Sequence, residues 1–203
     1  MDKTLVIFWS SGTTGKPKGI AHGKNFFIYS MVKKDLAPDT LLQTTWFFHA
    51  GGFFFAPFNE GLYNEFEIVF MNFNETMTTD SLLPIIHEHR PWTIICSSHH
   101  AVQLATITNY SKFDLSSVRI IKPFGAAIYT DIADQLKKRF PSILPTLQCN
   151  YGMTEMAVIS ISTSPKVLGS LLPGCEVKVL GDNGKFLGPH QIGEILAKVV
   201  FSY

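Results

Sequence analysis

Apolar positions along this chain fall in short blocks separated by longer amphipathic stretches. Leu5 to Ser10 reads as a buried strand. A polar loop runs from Ser11 to Gly19, and the pattern predicts a helix from about Gly23 to Lys34. Leu41 to Thr45 and Glu67 to Met71 read as strands. Thr79 to Arg90 reads as a helix capped near Thr78 or Thr79 and disturbed by Pro84. Then follow a strand at Thr93 to Cys96, a helix from about Ser98 to Tyr110, a strand at Val118 to Pro123, a helix at Asp131 to Phe140 and a short strand at Leu147 to Asn150. Strand followed by helix, repeated, predicts an α/β fold: a mostly parallel sheet with helices on both faces.

The texture changes near Ser164. Val177 to Leu180, the turn Gly181-Asp182-Asn183-Gly184, and Ile192 to Val200 read as strands joined by turns. The expected organisation is therefore an α/β unit over residues 1–163 and the start of a smaller β-rich lobe over 164–203. The chain has no internal repeat and no low-complexity linker.

Composition narrows the classes. Apolar residues make up 46% and charged residues 16% of 203 residues, with net charge +1, which is globular and lacks the basic face that nucleic acid requires. Lys33-Lys34 and Lys137-Lys138-Arg139 sit where helices end, so they read as dipole-complementing caps. Leu5 to Trp9 is too short for a signal-peptide core or a membrane span. The sequons at Asn74 and Asn109 are then taken as chance. Cys96, Cys149 and Cys175 match neither a disulfide framework nor a zinc pattern and suit a reducing compartment. The 17 Phe point to thick aromatic packing or an apolar pocket.

The most informative stretch is Ser10-Ser11-Gly12-Thr13-Thr14-Gly15-Lys16-Pro17-Lys18-Gly19. Glycines permit tight backbone turns, hydroxyls donate hydrogen bonds, and Lys16 and Lys18 bring positive charge, a combination that can wrap a polyphosphate. It is not a Walker A loop, because the Gly-Lys-Ser/Thr spacing is absent. The string strongly resembles the phosphate-binding signature of the adenylate-forming (AMP-binding) superfamily, which contains acyl-CoA synthetases, beetle luciferases and the adenylation domains of peptide synthetases.

Other segments resemble that family in the same order. Asn150-Tyr151-Gly152-Met153-Thr154-Glu155 is similar to its Tyr-Gly-x-Thr-Glu signature. The resemblance implies that Tyr151 offers a face to adenine, Thr154 reaches the α-phosphate and Glu155 binds the magnesium of Mg-ATP, a hard cation that prefers oxygen. Gly125-Ala126-Ala127 looks like the Gly-Ala-Pro-Leu segment lining the nucleotide, with Ala127 in place of Pro and Phe124 in place of a frequent Gly. Phe48-His49-Ala50-Gly51-Gly52 resembles the Phe-His-x-Gly-Gly segment of acyl-CoA synthetases and places His49 at the acyl end of the cleft. Phe53-Phe54-Phe55 is either an apolar acyl wall or core. Gly169 to Pro173 and Gly193-Glu194-Ile195 resemble later structural segments of the family.

The resemblance implies ATP-dependent activation of a carboxylic acid to an acyl-adenylate by an acid–thiol ligase of a fatty or aromatic acid, with CoA as co-substrate. Lys18, Thr154, Glu155 and His49 would do chemistry. Ser10, Ser11, Gly12, Thr13, Thr14, Gly15, Lys18, Gly125, Ala126, Ala127 and Asn150 through Thr154 would hold the nucleotide. It further implies that N- and C-terminal portions of the family fold, including a ribose-binding Asp and a catalytic Lys, lie outside these residues, so stand-alone turnover is not expected. The alternatives are a luciferase-like or peptide-synthetase adenylation unit, or an inert nucleotide-binding fragment. The expected location is intracellular, cytoplasmic or peroxisomal, although Phe201-Ser202-Tyr203 is no peroxisomal address.

Overall fold

The computed structural model describes residues 3–10, 15–30, 39–71, 78–142 and 147–199. Its first strand, β1 (Thr4–Ser10), pairs antiparallel with β2 (Lys18–Gly23), from Ser10↔Lys18 to Thr4↔Gly23, and α1 (Lys24–Ser30) follows. This corrects two expectations. The strand is not buried on both sides, and the loop after it returns into a second strand rather than a helix. Phe8 is buried and packs with Phe26, Val6, Phe53 and Ala157, whereas Leu5, Ile7 and Trp9 are exposed. A continuous apolar run cannot by itself distinguish two covered faces from one. The helical pattern expected as far as Lys34, the Lys33-Lys34 pair and Asn74 lie partly or wholly outside the described residues.

The middle of the chain gives the expected parallel sheet. It contains β3 (Thr40–Gln43), α2 (Ala50–Phe53), a π-helix over Phe54–Tyr63, β4 (Glu67–Phe70), α3 (Thr79–His89), β5 (Thr93–Ser97), α4 (Ser98–Thr106), a 3-10 turn at Tyr110–Lys112, β6 (Ile120–Phe124) and α5 (Thr130–Arg139). The sheet order is β4-β3-β5-β6, all parallel. β5 is buried along Thr93–Cys96, as a strand covered on both faces must be. One face carries the main core: Leu42, Ile94, Cys96 and Ile121 against Leu82, Leu83 and Ile86 of α3, Ala101, Leu104 and Ala105 of α4, and Ala133 and Leu136 of α5. The opposite face is smaller, with Leu41, Ile95 and Phe66. α3 starts on a Thr78 cap, where the Ser81 Oγ accepts the Thr78 N–H at 3.2 Å. It runs through Pro84, which sits on its exposed side.

Beyond α5 the hydrogen bonding turns antiparallel. Leu147 still bridges Ile121 in parallel, and the chain then enters β7 (Cys149–Met153), which pairs antiparallel with β8 (Ala157–Ser162). β8 also pairs with β9 (Ser170–Leu171), and β10 (Cys175–Leu180) and β11 (Glu194–Val199) form a separate hairpin. The pattern did not reveal β8, because its serines look exposed. They are buried: the Ser160 Oγ donates to Leu168 O at 2.6 Å and the Ser162 Oγ to Ser164 O at 2.8 Å. Among the described residues no helix is long and apolar enough to cross a membrane.

Candidate functional site

The carboxyl end of β6 and the adjoining β7 face two cavities that share Gly125, Asn150 and Gly152. One, about 230 Å³, is lined by His49, Ala50, Gly51, Phe124, Met153, Thr154, Ala157 and Val158 besides the shared residues. The other, about 310 Å³, adds Ala126, Ala127, Tyr151, Val167 and Leu168. Clefts at the carboxyl ends of parallel strands are where α/β sheets bind ligands.

Each wall has its own anchor. Ser98, at the start of α4, accepts the Ala126 N–H at 3.1 Å and lies 2.5 Å from the Ala126 carbonyl, which fixes the Gly125-Ala126-Ala127 turn. The α2 wall is held by Gln43, whose buried amide donates to Gly52 O at 2.6 Å and Thr45 O at 3.0 Å. Its two glycines are there for close approach. A Cβ at Gly52 would sit 2.1 Å from Trp46 O, and one at Gly51 would come within 2.5 Å of the Phe124 ring. His49 precedes the helix, is exposed, and accepts the Phe53 N–H through its carbonyl at 2.9 Å.

The Tyr151–Glu155 segment forms the end of β7 and the turn into β8. The ladder is irregular between Tyr151 and Gly152, and a Cβ at Gly152 would lie 1.9 Å from Ala157 O. Only glycine lets the two backbones pass so closely. Thr154 is half-buried on the cavity, Glu155 is exposed, and Tyr151 is 36% exposed on the second cavity. The Oδ1 of Asn150, a residue lining both cavities, is buried and has no hydrogen-bond partner among the described residues. Buried acceptors are rarely left so.

The third anchor is His22, which the sequence pattern did not single out. It faces inward from β2, packs tilted against Phe26 with ring centroids 3.7 Å apart, and hydrogen-bonds the Thr154 backbone. Burial pushes its pKa down; the Thr154 bond and the Glu155 carboxylate oppose that shift without cancelling it. The hairpin bearing the glycine-rich string is thereby tied to the Thr154–Glu155 turn. Alternation with Ile20 along β2 was the available signal for an inward side chain at position 22.

Of the residues singled out in the sequence, His49, Gly125, Asn150, Gly152, Met153 and Thr154 line the first cavity. Gly125, Ala126, Ala127, Asn150, Tyr151 and Gly152 line the second. Ser10, Gly15, Lys18 and Glu155 line neither. Lys16 and Lys18 are exposed where the loop enters β2. Ser11, Gly12, Thr13 and Thr14 lie outside the described residues. Of Phe53-Phe54-Phe55, Phe53 packs against Phe8 in the hairpin core, with ring centroids 5.5 Å apart. The side chains of the other two are outside what the structure describes. Among the described residues no cluster of three or more His, Cys, Asp or Glu could cage a metal. A lone carboxylate such as Glu155 fits a magnesium ion bound chiefly through a nucleotide's phosphates.

Comparison with known proteins agrees with this architecture. The chain is 25% identical over 213 residues to the mitochondrial acyl-coenzyme A synthetase ACSM3 of Mus musculus, covering 98% of this chain and 35% of that protein. It is 29% identical over 212 residues to luciferin 4-monooxygenase of Photinus pyralis, covering 97% of this chain and 37% of that one. Among solved structures, the luciferase-like enzyme of the nonluminescent mealworm Zophobas morio superposes with a TM-score of 0.80 at 27% identity, over 98% of this chain and 48% of its own. The chain thus spans just over a third of the length of these curated relatives. The family described as AMP-binding enzyme matches residues 1–199, and the chain belongs to that family of adenylate-forming enzymes.

Proposed function

We propose that this chain forms the nucleotide- and acyl-binding core of an AMP-forming acid–thiol ligase. In the proposed reaction a carboxylate oxygen of the acid attacks the α-phosphorus of ATP. The bond to pyrophosphate breaks and an acyl-adenylate results. A thiol, with CoA the proposed co-substrate, then attacks the acyl carbonyl and AMP leaves. Supporting this reading is the convergence of His49, Gly125, Asn150 and Thr154 on one cavity from three separate stretches of chain.

In this reading Tyr151 and the Gly125–Ala127 backbone flank the adenine, and the partnerless Asn150 Oδ1 accepts an N–H of the nucleotide. Lys18 and the hydroxyls of Ser10, Ser11, Thr13 and Thr14, with Gly12 and Gly15 giving the turns, hold the β- and γ-phosphates. The Thr154 hydroxyl meets the α-phosphate, and His49 orients the acid. Magnesium, when bound, would neutralise phosphate charge, and Glu155 would be its protein ligand. Positioning and charge stabilisation account for most catalysis of this kind. The division at residues 163 and 164 belongs to the proposal; the separate β10–β11 hairpin supports it. A luciferase-like adenylating unit is the second reading, favoured by the 29% identity to the Photinus protein.

Calorimetric titration with AMP and with Mg-ATP tests the assignment. Both are expected to bind, and Lys18→Ala is expected to weaken Mg-ATP at least tenfold while changing AMP little. Absence of nucleotide binding in the folded chain refutes the reading. Acid-dependent pyrophosphate release, assayed alongside, reports whether these residues complete the first half-reaction.

A further inference from the structure

The face of the parallel sheet behind the first cavity carries an ion pair where an apolar tail would otherwise go. Along β6 side chains alternate. Ile121 belongs to the main core, and Lys122 and Phe124 point to the other face, beside Ile95, which is in register with Lys122. Lys122 is 8% exposed. Its Nζ lies 3.1 Å from the Oε1 of Glu60, a residue of the π-helix that is 1% exposed. Phe124 stands about 6–7 Å further along the same face. Its ring lines the cavity, covers Gly51 and packs toward Leu41, Phe66 and Ile95. The ring thus lines the cavity on the same sheet face that carries, two residues back along β6, a desolvated pair of charges.

Resting on the adenylate reading of the site, we propose that Phe124 and the Lys122–Glu60 pair set a length limit, so that the acid is a compact one, short-chain or single-ring, and not a long fatty acid. Three arguments carry this. The cavity on the His49 side, about 230 Å³, lies below the usual range of about 300–1,000 Å³ for drug-sized ligands. Deepening it means swinging Phe124 onto the ion pair. An aliphatic tail wedged there separates two buried charges and offers neither a hydrogen bond, a penalty that apolar contact does not offset. Lys122 and Glu60 stand behind the ring as a second barrier to the tail and take no part in the chemistry.

The test is calorimetric titration of the 203-residue chain with non-hydrolysable acyl sulfamoyl-adenosines carrying acetyl, benzoyl, octanoyl or dodecanoyl groups. The acetyl and benzoyl compounds are expected to bind, with dodecanoyl at least tenfold weaker than benzoyl. In Phe124→Ala that gap is expected to persist. In Phe124→Ala with Lys122→Ala and Glu60→Ala it is expected to shrink to threefold or less, both charges being removed together so that neither is stranded. A second variant, Lys122→Met with Glu60→Leu on the Phe124→Ala background, keeps the core filled and is expected to strengthen dodecanoyl binding at least threefold. Dodecanoyl binding as tight as benzoyl in the natural chain overturns the length limit, and closure of the gap by Phe124→Ala alone overturns the part given to the Lys122–Glu60 pair. Binding of no acyl compound overturns the adenylate reading itself. The natural chain decides the length limit even where a variant does not fold.

Discussion

Replacing Gly152 with Ala tests how the Thr154–Glu155 turn is held. The added methyl would lie 1.9 Å from Ala157 O, 2.9 Å from its carbonyl carbon and 3.1 Å from the Val158 Cα. All three are backbone atoms, so no side chain can swing aside. Carbon and oxygen need roughly 3.2 Å or more, so β7 and β8 must part by about 1 Å. Overpacking of this kind destabilises by about 1–3 kcal/mol, and the upper half of that range fits a clash with backbone alone. The same displacement carries Thr154 away from the cavity. Losing the proposed Thr154 hydrogen bond to a charged phosphate costs about 1.5–3 kcal/mol, so AMP affinity is expected to fall by at least tenfold. Urea denaturation gives the first number and calorimetry the second. Gly188→Ala is the control: nothing lies within 4 Å of its added methyl, and its unfolding free energy is expected to change by less than about 0.5 kcal/mol. A Gly152→Ala chain with unchanged urea midpoint and unchanged AMP affinity refutes the reasoning.

Burial lowers the pKa of both His22 and His100, the latter helped by the neighbouring His99. The unfolded chain therefore takes up protons first as pH falls, so this stability is full above about pH 6.5 and is lost progressively below it. Urea midpoints should fall between pH 6.5 and 5.5, and a midpoint that stays level or rises there contradicts the burial of these rings. Burial pushes the Cys96 thiol up to about 12, which keeps it protonated and inert at neutral pH. A thiol reagent should modify Cys96 last of the three cysteines, at a rate that follows unfolding by urea. Modification in native buffer as fast as that of the half-buried Cys175 would contradict the placement of β5 in the core.

What could be read from the sequence follows from how each element is buried. β5 and the middle of β3 and β6 are covered on both faces, so they appear as unbroken runs such as Thr93 to Cys96. α3 and α5 announced themselves by spacing and by their ends, Thr78 before one and Lys137-Lys138-Arg139 closing the other. β2 and β8 were hidden because their inward positions hold His22, Ser160 and Ser162, polar residues that the folded chain buries. The chemistry-bearing strings were legible as strings, and their meeting at one cavity was not. His22 reaches Thr154 across most of the chain, and Ser98 reaches Ala126 across 28 residues. Lys122 reads as an interruption in an apolar run until Glu60, 62 residues earlier, is seen beside it.

These long-range contacts share one form, a buried side chain holding another element by its backbone. Gln43 holds the Gly52 carbonyl, Ser98 the Ala126 amide, and His22 the Thr154 backbone. Each ties one wall of the cleft to a different part of the sheet or hairpin, so no single element carries the site. A wall fixed by its backbone leaves side chains on the cavity side free to vary, which suits a family that keeps one activation chemistry while changing the acid. The Lys122–Glu60 pair departs from that form. It joins side chain to side chain, two residues from Phe124 on the same face; on the proposed reading a change there alters the shape offered to the acid and leaves the backbone anchors in place. On the proposed reading, the nucleotide side is held by the anchors at positions 22 and 98, and the acid side by the anchor at position 43 with positions 60, 122 and 124 behind it.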